Sequence, residues 1–503
     1  MTRWTMLAVC FLGACEGGPG VGPGGNANTD RQIDGLPAAT GDISAAPHAA
    51  SGRMCINGDG QIFAMWRDNR DGFFDVWFNR SDDGGETWLS DPVRVKQGGG
   101  DALDLQMACV ADRVYAVWTD TRDSETEYTN IYFNFSTDGG DSWREQDVLI
   151  DDDPDGRFIS INPQIVLSKG RPFIIWADQV AGAPDIYAVS SGGGPQFTEP
   201  VRLSNTLTGT GQAAEEVPAG ESWSGNPRAA ADEEGYVYVV WEDKRNGAQD
   251  VYFTVTTEDG SAETFRRDRR VNTDAPGSAF AFSPRVAASQ GNAFVVWQDA
   301  RNGADRDIYM RAAVNGGTAL LSEDVRIDSL DAPGQSDSIN PSLLVRGSTA
   351  HIVWQDAVQG AYDIYHRPVT VTEGLLDLGD AEVRVENSPV GSTNAIRPRI
   401  FERAGDVIVG WEDRRADQGD QGFNELYYNH LSLADAEPAW GREDLRLDSN
   451  FPGETASTDL QLATHSGFVQ AIWTDNRQGR TNVYFSRSPI GGEVVNLADV
   501  EED

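Results

Sequence analysis

Residues 63–78 read FAMWRDNRDGFFDVWF: an apolar run closed by Trp, a polar turn, then a short alternating segment. The phrase returns throughout the chain, for example as YVVWEDKRNGAQDVYF, FVVWQDARNGADRDIYM and QAIWTDNRQGRTNVYF. Its tryptophans are Trp66, Trp118, Trp176, Trp241, Trp297, Trp354, Trp411 and Trp473. Before each lies a segment such as NPQIVL or SPRVAA, and after each comes an alternating DIYF-like run and a VRV or VRI segment. Apolar runs, alternation and turn residues at this spacing predict four strands per repeat, here called A to D, and nowhere is there sustained helical periodicity. Repeats of this length predict an all-β propeller of four-stranded blades, eight by the count of phrases, with seven as the alternative.

Closure is legible too. RQIDGLPAATGDISAAP (31–47) matches VRIDSLDAPGQSDSINP (325–341), aligning Ile33 with Ile327 and Pro47 with Pro341. The N-terminal segment therefore carries a spare D strand, and residues 31–34 are expected to complete the eighth blade, with EVVNL near the C-terminus as the competing edge.

Every phrase has Asp two places after Trp, and six add Arg two places further on, whereas Val180 and Val358 stand there in repeats three and six. Eight copies of one acid argue for a structural role: Asp at a strand end accepts N–H groups of the following turn. The Arg could pair with that Asp or with the acid opening strand C, such as Asp75 or Asp250.

Two C-to-D segments share a further pattern, SDDGGETW (Ser81, Asp83, Gly85, Trp88) and STDGGDSW (Ser136, Asp138, Gly140, Trp143), with TTEDGSAETF and LSLADAEPAW as degenerate copies. This resembles the Asp box, or BNR repeat, of the sialidase-like propellers. The resemblance implies that the boxes identify the fold and lie on the face opposite the long B-to-C and D-to-A connections. Long connections on a rigid scaffold are where binding residues concentrate, so function is expected there.

Two features break the repeat on that face. Trp223 is the one body tryptophan outside the pattern, beside Glu215, Glu216 and Glu221 in the longest crossing; it is read either as a platform for sugar or peptide or as a loop anchor. Arg228, Arg285 and Arg399 each follow the Pro of strand A, where Gln164, Ser342 and His48 stand in other repeats. Sialidases hold the sialic acid carboxylate with an arginine triad, so the resemblance implies a carboxylate site; pairing with nearby acids is the alternative. The family's early RIP motif is absent, and no Tyr with a neighbouring Glu stands out.

Composition changes the picture in two places. Seventy-nine acidic against forty basic residues, a formal charge of −39, exclude nucleic acid as a natural partner. The start, MTRWTMLAVCFLGAC, is too short to span a bilayer and reads as an export signal. Its end resembles a bacterial lipobox, implying a signal peptide over 1–14 and a lipid on Cys15; a plain secretory signal is the alternative. A Gly/Pro-rich tether (15–30), the propeller (31–490) and an acidic tail (491–503) follow. The expected location is the bacterial envelope, at the outer membrane or cell surface, with the membrane met only through the anchor and the chain monomeric. Export permits, without requiring, a Cys55–Cys109 disulfide. No cofactor is expected, although DDDPDG (Asp151, Asp153, Asp155) fits the opening of a calcium loop and lacks its terminal Glu.

These readings favour a noncatalytic module binding glycan or protein, with two alternatives: a sialidase-like glycoside hydrolase acting on an acidic sugar, or a structural part of an envelope assembly. Convergence of the three guanidiniums favours the enzyme, and dispersal into separate ion pairs excludes it.

Overall fold

The computed structural model describes residues 30–36, 48–123, 128–151, 153, 156–205, 218–403, 405–415, 423–435, 438–450 and 455–490. Eight antiparallel sheets follow one another along the chain, seven with their strands in sequence order and the eighth completed by the N-terminal strand, so the protein is an eight-bladed β-propeller. The A strands are Ala49–Ile56, Ala102–Val110, Ser160–Ser168, Ser224–Ala231, Ala281–Ser289, Ser338–Arg346, Ala395–Arg403 and Ser457–His465, for blades 1 to 8. The outer D strands are two residues long, as in Val93–Arg94 and Val201–Arg202, which leaves little open edge for another chain to pair with. Blades 5 and 6 add an outer ribbon, Ala319–Leu320 and Leu375–Asp377.

The ring closes as the repeat implies. Arg31–Gln32 pairs with strand C of blade 8 (Asn482–Pro489), Arg31 opposite Phe485, and Ile33 N–H continues to Val483 O at 3.0 Å. The competing EVVNL segment lies outside the described residues.

The core lies between blades. All eight strand-B tryptophans are at most 1% exposed, and each core cluster joins neighbouring blades, as when Phe63 and Phe78 meet Val114 and Trp118. Burying an indole removes ~150–250 Å² from water, an upper contribution of about 4–6 kcal/mol each.

The repeated Asp closes a small network. In blade 4, Asp243 accepts Trp241 Nε1–H at 3.1 Å, Arg245 N–H at 2.9 Å and the Arg245 guanidinium at 2.5 Å. That guanidinium then lies over Tyr252 of strand C, 4.0 Å from the ring centre. Of the two expected partners the Arg thus takes the Asp beside Trp. The acid opening strand C is held instead by the strand-D Arg, as in Arg270–Asp250 at 3.0 Å. In blades 3 and 6 the turn bond survives without Arg: Val180 and Val358 donate to Asp178 and Asp356.

The box segments are turns that staple blades together. Ser81 Oγ donates to Asp83 and accepts Gly85 N–H, both at 2.8 Å, while Asp83 also takes Thr87 N–H. Ser136, Asp138 and Gly140 repeat this, with Ser142 as the donor to Asp138. Trp88 meets Phe485 of blade 8 edge-on at 5.0 Å, and Trp143 meets Phe78 of blade 1 at 5.3 Å. Gly85 and Gly140, at φ +95° and +90°, lie where a Cβ would be 2.2 Å from those phenyl rings. Cys55 and Cys109 form a disulfide between the first two A strands, Cα to Cα 6.0 Å.

Candidate functional site

Each A strand carries a bulge at the same place. Ser51, Asp104, Asn162, Asn226, Ser283, Asn340, Arg397 and Asp459 all have φ between +47° and +59°, and the register slips there in every blade. Polar residues tolerate this conformation better than β-branched ones. Because the slip repeats, the residue two places later occupies one level in all blades: Arg53, Gln106, Gln164, Arg228, Arg285, Ser342, Arg399 and Gln461.

This layer corrects the alignment drawn from sequence. His48 does not share the place of Arg228; Arg53 does, and His48 donates its backbone N–H to Asn69 before the strand begins. The crossing into blade 1 is five residues longer than that into blade 6 (33 to 49 against 327 to 338), and Gly52 stands where five other blades have Pro. Anchoring on Pro47 therefore displaced the register and hid the fourth arginine.

The four guanidiniums converge. Arg228 of blade 4 and Arg53 of blade 1 each feel the charge of Arg399 in blade 7, although neither blade adjoins it, so the level on the inner strands brings these charges within electrostatic reach of one another. Burial pushes all four below the ordinary arginine range, and mutual repulsion adds to it; for Arg285, burial with Arg228 and Arg399 brings the value down to about 9. Among the described residues none of the four has a carboxylate within ion-pair distance. Three donate to the carbonyl of the preceding residue, Arg53 to Gly52, Arg228 to Pro227 and Arg285 to Pro284. A guanidinium has five N–H donors, so most of this capacity meets no protein acceptor among the described residues.

Acids stand at the same mouth, already engaged. Glu242 accepts Ser283 N–H at 2.8 Å and Gln249 Nε2–H at 3.0 Å. Glu412 accepts Arg397 and Asn424, each at 2.9 Å, and burial with the nearby Asp459 holds it above the usual carboxylate range against the pull of Arg397. Beside Glu412, between blades 6 and 7, opens a cleft of about 340 Å³ lined by Asn340, Gln355, Tyr362, Asn394, Arg397 and Arg414.

Trp223 is half-buried and engaged with its own blade: a Cβ at Gly225 would lie 2.5 Å from its ring, and Lys244 Nζ sits 4.7 Å from the ring centre. Glu215 and Glu216 lie outside the described residues. In the calcium candidate, Asp151 accepts Ile131 N–H at 2.8 Å and Asp153 accepts Arg157 and Phe158 N–H, the ordinary work of a crossing, while Asp155 lies outside the described residues. Among the described residues, six of the nine exposed large apolar residues, Phe73, Tyr128, Val180, Phe280, Leu330 and Val390, stand on the B-to-C and D-to-A connections.

Fold and layer together define an eight-bladed propeller whose inner strands carry, on one level, four arginines without a carboxylate partner among the described residues. No protein-family model and no curated protein sequence matches the chain. Solved structures similar to it include the polysaccharide lyase Uly1 (TM-score 0.45, 8% identity, covering 81% of this chain and 94% of that one). Another is the α-L-arabinofuranosidase Arb93A of Fusarium graminearum with an iminosugar inhibitor (0.40, 13%, 76% and 92%), and a third the α-L-arabinanase of Penicillium chrysogenum with arabinobiose (0.37, 13%, 65% and 94%). These neighbours are glycoside hydrolases and a lyase, and the expectation of a noncatalytic binding or scaffold module is corrected on that finding.

Proposed function

We propose that the protein is a glycoside hydrolase of the sialidase-like, Asp-box kind that acts on an acidic sugar, whose carboxylate is held by Arg228, Arg285 and Arg399 together with Arg53. One observation carries this reading: four half-buried arginines share one level of the inner strands without a carboxylate within ion-pair distance among the described residues. Unpaired buried charge is costly, and a planar anion would relieve it while using the fork of donors that arginine offers. Glu412, held above the usual carboxylate range by burial, is the candidate to protonate a leaving oxygen once it parts from Arg397, and Glu242, which accepts from Ser283 and Gln249, is the candidate to stabilise positive charge or activate water. Attachment of a lipid at Cys15 would place this site at the envelope surface, and Cys15→Ser should then release the protein from membranes.

The test is turnover of aryl glycosides of N-acetylneuraminate, glucuronate and galacturonate. At least one should be cleaved, Glu412→Gln should lower kcat by a hundredfold or more, and Arg285→Gln should chiefly raise KM. Cleavage unaffected by either change would remove the channel from the mechanism.

A further inference from the structure

The cleft between blades 6 and 7 gathers cationic and amide side chains. Arg397 and Arg414 both line it, along with the side-chain amides of Asn340, Gln355 and Asn394 and the ring of Tyr362. Arg397 is held by the protein rather than left to swing. Its backbone N–H donates to Gln355 Oε1 at 2.8 Å and its guanidinium to Glu412 at 2.9 Å, yet the side chain stays 54% exposed. Arg414 donates Nε–H to Asn424 Oδ1 at 2.9 Å and has no carboxylate partner among the described residues. The lining therefore brings two guanidiniums, one of them paired with Glu412, together with amide donors and acceptors, Tyr362 and Ile396, a combination that suits a sugar ring bearing both hydroxyls and a carboxylate.

Its position relative to the channel matters. Arg397 lies two residues before Arg399 on one strand, roughly 7 Å along it, and the two charges repel. Glu412 touches the cleft through Arg397 and senses Asp459 at the channel mouth. Cleft and channel are thus successive cationic positions on either side of the candidate acid. We infer that the cleft is a subsite for the next residue of an acidic oligosaccharide, so that the substrate carries carboxylates on successive sugars rather than one acidic sugar at the end of a neutral glycan. This rests on the reading of the channel as the acidic-sugar site.

Calorimetric titration of the full chain with the monomers and trimers of galacturonate, mannuronate and guluronate tests it. For at least one acid the trimer should bind tenfold or more tightly than the monomer. Arg414→Gln should abolish that advantage and leave monomer affinity unchanged, and Asn394→Ala, which keeps both arginines, should reduce it. Arg285→Gln should weaken monomer and trimer alike. If Arg285→Gln acts and Arg414→Gln leaves the trimer advantage intact, the cleft is not a subsite and the channel reading stands. If Arg285→Gln has no effect, the channel reading fails. No wild-type binding of any trimer overturns the subsite outright.

Discussion

Arg285→Gln is the substitution in which stability and binding should move in opposite directions. Gln already occupies this layer at Gln106, Gln164 and Gln461, so the change fits the strand and the bulge before it. Burial and the charges of Arg228 and Arg399 depress Arg285 from 12.5 to about 9. At 1.36 kcal/mol per unit this is about 5 kcal/mol of unfavourable environment, an upper bound because the Arg285 side chain is only half-buried. After that discount the variant should be more stable by about 1–2 kcal/mol at pH 7, roughly 1–2 °C in Tm for a chain this long. The sign follows from a cation whose folded pKa is lowered: its destabilisation holds at neutral pH and fades as pH rises through 9 towards 12.5. Thermal and urea unfolding at pH 7, with and without an acidic monosaccharide, give the readout. The wild type should gain stability from the sugar, and the variant should start higher and gain less. A variant less stable than wild type would show that Arg285 is satisfied in the fold and would refute the argument from unpaired charge.

Three further outcomes follow from other parts of the structure. His351 and His366 replace in blade 6 the phenyl pair Phe63 and Phe78 of blade 1; their rings stack at 5.3 Å, and burial, aided by Arg346 and by His351 respectively, pushes them down to about 4 and about 3. The unfolded chain takes up protons near pH 6.5 and the folded pair does not, so stability is lost as pH falls below 6.5, by about 2 kcal/mol per histidine at pH 5, and H351F/H366F should remove that component from urea midpoints at pH 7.5 and 5. Asp243→Ala leaves Arg245 with Asp268 as its remaining carboxylate, at 2.8 Å, but removes the acceptor of Trp241 Nε1–H and of the turn N–H, and should cost about 1–3 kcal/mol in urea unfolding. Gly85→Ala puts a methyl against Phe485 at φ +95° and should cost about 1–3 kcal/mol, whereas Gly72→Ala, also at positive φ (+104°) but with no atom within 4 Å of the added methyl, should cost less.

Much of the fold was legible because each blade solves one packing problem with the same residues. Trp at the end of strand B, Asp two places on and the Arg that lies over a strand-C aromatic repeat at sites that must be filled in nearly every blade, so periodicity alone exposes them. The spare strand at 31–34 was legible for the same reason, because its Ile33 fills the place of Ile327. The channel layer was only partly legible. Three arginines stood out beside prolines, but the fourth sits after Gly52 beyond a longer crossing, and no local pattern records the bulge that brings the level back into register. Glu242 and Glu412 were missed because the place between Trp and Asp holds Arg67, Thr119, Ala177 and Gln298 elsewhere, and variety there looks like neutrality. The cleft could not be read at all: it joins residues of two blades that only the radial arrangement brings together.

The central claim is that the arginine layer receives the carboxylate of a sugar. A crystal of the protein soaked with the acidic sugar it binds best tests this most directly. The account predicts the carboxylate among the guanidiniums of Arg53, Arg228, Arg285 and Arg399, with the glycosidic oxygen turned towards Glu412. A sugar bound on the opposite face, or within the channel with its carboxylate turned away from these four residues, would contradict it.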